Sequence, residues 1–381
     1  SRIRTELIAQ YIRDSLKNFY VDNHGIRVES YRGGYLPNER REIERGLREG
    51  TIQGVVSTNA LELGIDIGGL DASVLAGFPG TIASSWQQAG RAGRRNTVSL
   101  SVLVASSSAT DQFIIRHPEY FFGRSPERGQ VDPHNVFIQA DQLKCAVFEL
   151  PFADDERFGE GTPELLNYLG EQGVLRRSAG KWYWADRAYP AENVSLRTAT
   201  PNNIVIVDTT RGRDEVIGEM DLPSAKELIF DGAVYLHLGD QYLVQKLDLE
   251  NQRCYVEETD VNYWTDSIVK TDIKVLAVDE ERSVAGVRAA LGDILVRSQA
   301  TKFKKLKFHT NENVGYGDIS LPPDEMHTRA CALVFDPATA PGRAYEALSE
   351  AERAAVMVGL GALLSTVAPV FLLCDPRDLG V

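Results

Sequence analysis

The spacing of apolar positions changes character twice along the chain, and each change marks a region of different architecture. In RTELIAQYIRDSLKNFY the apolar residues recur every three or four positions, predicting a helix with Leu7, Ile8, Tyr11, Ile12, Leu16 and Phe19 on one face. RVESYRG, IQGVVST, ASVLAGFPG and SLSVLVAS are instead short β-rich runs. Between the first two lies NERREIERGLREG, a charged helix with Asn38 as its expected N-cap and Gly50 near its end. Apolar strands alternating with helices predict a parallel sheet covered on both faces. Residues 1–108 are expected to form a doubly wound α/β domain.

From Asp111 the pattern loosens. HPEYFFGRSPERG is aromatic and turn-rich, while NVFIQADQLKCAVFELP and GTPELLNYLGEQGVLRR have helical spacing. KWYWADRAYP reads as a hairpin, so residues 109–196 are expected to form a winged-helix-like module. Its aromatic residues either pack the wing or stack on bases. From residue 197 short strands dominate: NNIVIVD, GAVYLHLGDQYLVQKLDLE, QRCYVEE, DIKVLAVDEE and ILVRSQATKFKKLKF. They predict an antiparallel barrel or curved sheet, a β-rich accessory domain over 197–381. Within it, KFKKLKFH puts Leu306 and Phe308 on one strand face and Lys305 and Lys307 on the other. That basic face is either simply solvated or a track for a nucleic-acid backbone.

Ala354 to Leu373 carries no charge and is long enough, at about twenty residues, to cross a bilayer. Gly359, Gly361, Ser365, Thr366 and Pro369 interrupt it, and SEAE at Ser349–Glu352 reads as a capping box. The expectation is a buried helix ending before Pro369, then a core strand VFLLC, with no membrane partner. The net charge of −13 argues against indiscriminate binding to nucleic acid, though not against a local basic groove. Cys145, Cys254, Cys331 and Cys374 are scattered singly, which suits a reduced, cytoplasmic compartment and no zinc site.

One stretch carries candidate chemistry. In WQQAGRAGRR, Trp86–Arg95, a continuous helix would bring Gln87, Arg91 and Arg94 within roughly 60° of one another, with Arg95 elsewhere. An amide and two guanidiniums on one face suit phosphate oxygens. Gly90 and Ala92 would let a ligand or another domain approach the backbone. By spacing alone, a solvated arginine face is an equal reading.

The stretch STNALELGIDIGGLD, Ser57–Asp71, precedes it, and together they resemble motifs V and VI of superfamily 2 helicases in order and spacing. SRIRTEL resembles the stretch after motif IV, and YRGGYLPNERR the motif that follows. Residues 1–108 are thus similar to the second of two RecA-like motor domains. HPEYFFGRSPERGQVDPHN, LKCAVFELPF, GAVYLHLGDQYLVQKLD, HTNENVGYGDISLPPDEMHT and CDPRDLG extend the likeness, specifically to bacterial MrfA/YprA-type helicases and their fungal relatives.

The resemblance implies the C-terminal portion of an ATP-dependent DNA helicase or translocase acting in repair, in the cytoplasm at the nucleoid. It implies that Thr58 meets a DNA phosphate, with Ser57, Asn59, Arg32 and Gly33 along the same track. Gly64 and Asp66 would lie near the nucleotide, Gln87 near the γ-phosphate, with Arg91 and Arg94 as arginine fingers. ATP and Mg2+ are the implied cofactors. No GxxxxGK[ST] phosphate loop occurs in the chain, so the first RecA-like domain, which would hold most of both, is expected outside it. The family's four-cysteine zinc cluster is likewise expected beyond CDPRDLGV. DEMH at Asp324–His327 matches a DExH box only formally, since it follows ISLPP rather than a buried strand. Two rival readings remain open at this stage: a non-catalytic nucleic-acid-binding regulator, and an RNA-directed remodeller.

Overall fold

Helix α1 (Arg2–Phe19) does not bury the face its apolar spacing predicts. Thr5, Glu6, Leu7 and Ala9 are buried, while Ile8 and Ile12 are exposed. The helix is rotated so that the Glu6 carboxylate reaches a buried partner, Arg32, at 2.8 Å. The computed structural model describes residues 2–19, 25–62, 65, 67, 69–93, 98–127, 135–194, 203–372, 374 and 379–381. The chain forms two compact units, Ser1–Glu127 with Asn203–Val381, and Arg128–Asn202.

The first unit opens with two parallel strand pairs. β1 (Val28–Tyr31) pairs with β2 (Gly54–Ser57), and β3 (Ala72–Ala76) with β4 (Leu100–Val104). Parallel pairing requires a crossover, supplied by α2 (Pro37–Glu49) and α3 (Ile82–Ala89). The cap of α2 is Leu36 rather than the expected Asn38. Pro37 presets the first helical φ, and the Glu39 carboxylate accepts the Leu36 N–H at 2.9 Å. Tyr31, Tyr35, Ile43, Leu47, Ile52, Leu61 and Ile67 form the core here. The expected cover on both sheet faces is incomplete: Val74, Leu100 and Val104 are exposed among the described residues.

Two short helices follow, α4 (Ala109–Arg116) and α5 (Pro118–Gly123). Asp111 of α4 accepts the Phe78 amide at 3.0 Å and the Ser106 amide at 2.6 Å, fastening the C-terminal ends of β3 and β4 together. Burial alone would raise its carboxyl, but these amides hold it below the usual carboxylate range.

The second unit comprises α6 (Val136–Glu149), β5 (Phe152–Ala153), α7 (Thr162–Glu171), β6 (Leu175–Ser178) and β7 (Lys181–Trp184), with strand order β5-β7-β6. The hairpin turn uses Ala179 and Gly180 at positive φ. Trp182 packs into the core with Leu143, Leu166 and Leu169. Gly170 is obligatory beneath it, because a Cβ there would lie 2.7 Å from the indole.

In the first unit the chain resumes with β8 (Asn203–Asp208), β9 (Glu215–Asp221), α8 (Leu222–Leu228), β10 (Val234–His237), β11 (Asp240–Asp248) and β12 (Arg253–Glu258). They form one sheet, β10-β11-β12-β8-β9, which is mixed rather than antiparallel because β12 runs parallel to β8. A second sheet is organised by β15 (Val287–Lys307). It pairs antiparallel with β13 (Tyr263–Val275), β14 (Glu280–Val284), β16 (Asn313–Asp318) and β17 (Asp324–Val334). At 21 residues β15 spans about 70 Å. Ile204, Ile206, Phe230, Val244, Val256 and Phe303 lie in the shared core of the two sheets.

Helices α9 (Ala340–Glu346) and α10 (Glu350–Leu372) follow. The capping box is formed, with the Ser349 amide donating to Glu352 at 2.9 Å. The expected burial and the stop before Pro369 are both overturned. α10 runs through Pro369, its apolar stretch from Ala354 to Ala368 is exposed or half-buried, and no strand follows among the described residues. Proline there removes one hydrogen bond near the end of a long helix, and the helix tolerates the loss. By length and composition α10 could cross a membrane.

Candidate nucleotide and nucleic-acid interface

The helix carrying WQQAGRAGRR is shorter than its sequence suggests. α3 ends at Ala89, capped by Gly90, and the chain tightens into a turn with Arg91 N bonded to Gln88 O at 3.2 Å. Ala92 then bridges to Leu70 in parallel register, and Gly93 adopts φ 87°. Gln87 and Arg91 therefore do not share one helical face. The small residues serve the chain's own turn: a Cβ on Gly93 would lie 2.5 Å from the Ser99 hydroxyl.

Arg91 turns back on the neighbouring segment. Its Nη1 donates to the Ile65 carbonyl at 2.8 Å, and its Nη2 to the Glu62 carbonyl. Gln88 adds a second tie, its amide donating to the Glu62 carboxylate at 3.1 Å. Gln87 is exposed on α3. Gly64, Asp66 and Arg94 lie outside the described residues.

Thr58 sits where β2 ends. Its amide donates to Tyr31 O at 3.3 Å, and its hydroxyl accepts the Ala60 N–H at 3.3 Å to open a 3₁₀ turn, Asn59–Leu61. The Ser57 hydroxyl donates to Thr58 O at 2.6 Å, and Asn59 is exposed. Gly33 is also exposed, with open space where a side chain would be. Thr58, Ser57, Asn59 and Gly33 thus lie at or just after strand ends, where hydroxyls and peptide groups can meet a phosphate.

Arg32 differs from them. It is fully buried, with Nε 2.8 Å from Glu6 and Nη2 2.9 Å from both the Tyr235 hydroxyl and the Leu236 carbonyl. Burial works against its charge, but Tyr235 and Glu6 keep the guanidinium protonated. Its expected place on an accessible track is not where this structure puts it. Sequence patterning missed this junction, because Tyr235 lies 203 residues away.

The remaining candidates are quickly placed. Asp324 of DEMH pairs with the Lys226 ammonium, and His327 faces Leu295 across the sheet. Lys304 and Lys302 sit opposite Asp266 and Asp318 in register, and Lys305 lies over the Tyr263 ring at 5.1 Å. Those carboxylates face Lys302 and Lys304, whereas Lys305 and Lys307, the expected basic face, lie opposite Thr265 and Tyr263 of β13. The donors near α3, an amide and a guanidinium, suit phosphate oxygens. Among the described residues no set of three or more His, Cys, Asp or Glu converges to offer a metal cage.

The helicase conserved C-terminal domain profile matches residues 3–96, and the winged helix domain profile of ATP-dependent helicase HRQ1 matches residues 131–199. The uncharacterized ATP-dependent helicase YprA of Bacillus subtilis is 47% identical over 383 residues, covering 100% of this chain and 50% of the relative. The crystal structure of the DUF1998 helicase MrfA bound to DNA superposes with TM-score 0.79 at 46% identity, over 99% of this chain and 50% of that one. MrfA bound to DNA and AMPPNP gives TM-score 0.73 at 45% identity, over 99% and 49%. The chain spans about half the length of these relatives. Its first residues therefore form a RecA-like motor fold, and the described residues within the second profile match a winged helix. The chain belongs to the MrfA/YprA-type superfamily 2 helicases.

Proposed function

We propose that this chain is the C-terminal portion of an ATP-dependent DNA helicase or translocase that acts in DNA repair in the cytoplasm. One observation carries the reading furthest: Arg91 holds the carbonyls of Glu62 and Ile65. That contact joins the segment beginning at Thr58, on the nucleic-acid side, to the end of α3, on the nucleotide side. MrfA has been crystallised with DNA and with AMPPNP, which supports both ligands here.

When bound, ATP supplies a phosphoanhydride whose hydrolysis releases free energy. The phosphate loop and most of the magnesium ligands would come from the N-terminal RecA-like domain, the implied partner. This chain's part is electrostatic. Gln87 is exposed and would orient a phosphate oxygen, and Arg91 and Arg94 are the guanidiniums assigned to offset transition-state charge. An Arg91 fork drawn toward phosphate releases the Glu62 and Ile65 carbonyls. Thr58 and Asn59 then shift with their strand end, moving the phosphate they hold.

The test is Arg94→Ala in the full-length protein. Arginine fingers contribute about 10³–10⁵ in rate, so DNA-stimulated hydrolysis should fall by that order. DNA binding without nucleotide should survive. Arg94→Lys should recover little, because an ammonium lacks the planar fork. Near-normal hydrolysis with lost DNA binding would place these arginines on the nucleic acid instead.

A further inference from the structure

We infer that Glu127 is a positioning residue for ATP hydrolysis, acting through α3. This rests on the reading of α3 as the nucleotide-side helix. Glu127 is distant in sequence from α3, yet its two carboxylate oxygens accept the first two amides of that helix, Ile82 N at 2.7 Å and Ala83 N at 3.0 Å. The Thr81 hydroxyl accepts Ser84 N at 3.1 Å, and the Thr81 carbonyl accepts Ser85 N at 3.1 Å. All four leading amides of α3 are thus satisfied, two of them by one charged group aligned with the helix dipole.

The same stretch of chain grips α3 a second time. Phe121 stacks on Trp86 with ring centroids 5.2 Å apart, and Phe122 meets Trp86 edge-on at 6.0 Å. Trp86 is the residue before Gln87. A helix of eight residues has little stability of its own, so its direction is set by such contacts. Glu127 fixes one end, the phenylalanines fix the middle, and Arg91 fastens the residues beyond. Freeing the N-terminal end lets α3 pivot and carries Gln87 and Arg91 with it. Displacement of about 1 Å in a catalytic group can cost on the order of 10²-fold in rate.

The experiment uses the full-length protein, comparing Glu127→Ala, Glu127→Gln, Gln87→Ala and the Glu127→Ala/Gln87→Ala double variant. Glu127→Ala should lower kcat for DNA-stimulated ATP hydrolysis by roughly ten- to a hundredfold. DNA affinity without nucleotide should stay within about twofold and Tm within a few degrees. Glu127→Gln should recover part of the loss, since its carbonyl can still accept one amide. The double variant should be hardly slower than the worse single one, because both changes remove the same alignment. If Glu127→Ala does not fold, the near-isosteric Glu127→Gln carries the comparison alone. Hydrolysis within threefold of the parent by the folded Glu127 variants, with Gln87→Ala impaired, overturns the positioning role and leaves the function standing. Fully multiplicative losses in the double variant also overturn it. Normal hydrolysis by Gln87→Ala overturns both.

Discussion

Glu6 and Arg32 are buried charges that no apolar pattern announces. Each is costly to bury alone, and their geometry supplies the compensation: Glu6 accepts from Arg32, Ser30 and Tyr35, while Arg32 also donates to Tyr235 and Leu236. The spacing of α1 suggested an apolar face through Ile8 and Ile12, and the pair turned the helix away from it. The motif marks Arg32 as a nucleic-acid residue, but a motif specifies neighbours along the chain and says nothing of Tyr235. Removing one partner of a buried pair costs about 3–5 kcal/mol. Arg32→Ala should therefore lower the unfolding free energy of this chain by that amount, read as a lower urea midpoint, and Arg32→Lys should restore little, since one ammonium cannot serve Glu6, Tyr235 and Leu236 together. An unchanged midpoint with weakened DNA binding would return Arg32 to the track.

Elements show where a motif is legible and its geometry is not. WQQAGRAGRR was recognisable by order and spacing, but the helix it appeared to make stops at Ala89. Glycine tolerates helical and left-handed backbone alike, so Gly90 and Gly93 leave the local conformation to tertiary partners, here Leu70 and Ser99. α10 shows the converse. Its capping box is legible in the sequence, but apolarity alone does not say which surface, if any, covers a helix. Val358 and Phe371 are exposed on it. Val358→Glu and Phe371→Glu together should leave the Tm of this chain within about two degrees, since exposed sites contribute about 0.5 kcal/mol or less. Self-association in sedimentation should fall, as expected when an apolar patch is interrupted. A large Tm loss would mean that α10 is packed in solution.

At the scale of the molecule, the motor fold and the accessory sheets are joined by close backbone approach as well as by charge. Glu219 N donates to Gly34 O at 3.2 Å, and a Cβ on Gly218 would lie 2.9 Å from that same oxygen. Arg2 reaches Asp221 at 2.7 Å, and Tyr11 stacks on His309 at 4.3 Å. The strand alternation made the accessory region readable as β, but the parallel β8–β12 pairing was not, because adjacency after a long crossover leaves no local signal. This junction gives the motor fold support from within the chain, so the chain should fold and hold α3 without its relatives' other half. Catalysis is a separate matter. The sequence contains no GxxxxGK[ST], the motif whose backbone and lysine cradle the β- and γ-phosphates in P-loop NTPases. The purified chain should therefore show a cooperative melt and a native circular dichroism spectrum, yet no DNA-stimulated ATP hydrolysis above background. Adding the N-terminal RecA-like portion as a separate polypeptide should restore turnover, and Gln87→Ala in this chain should abolish the restored rate. Turnover by the chain alone that disappears with Gln87→Ala would show that it carries a complete site, and the division of labour between two motor domains would have to be abandoned.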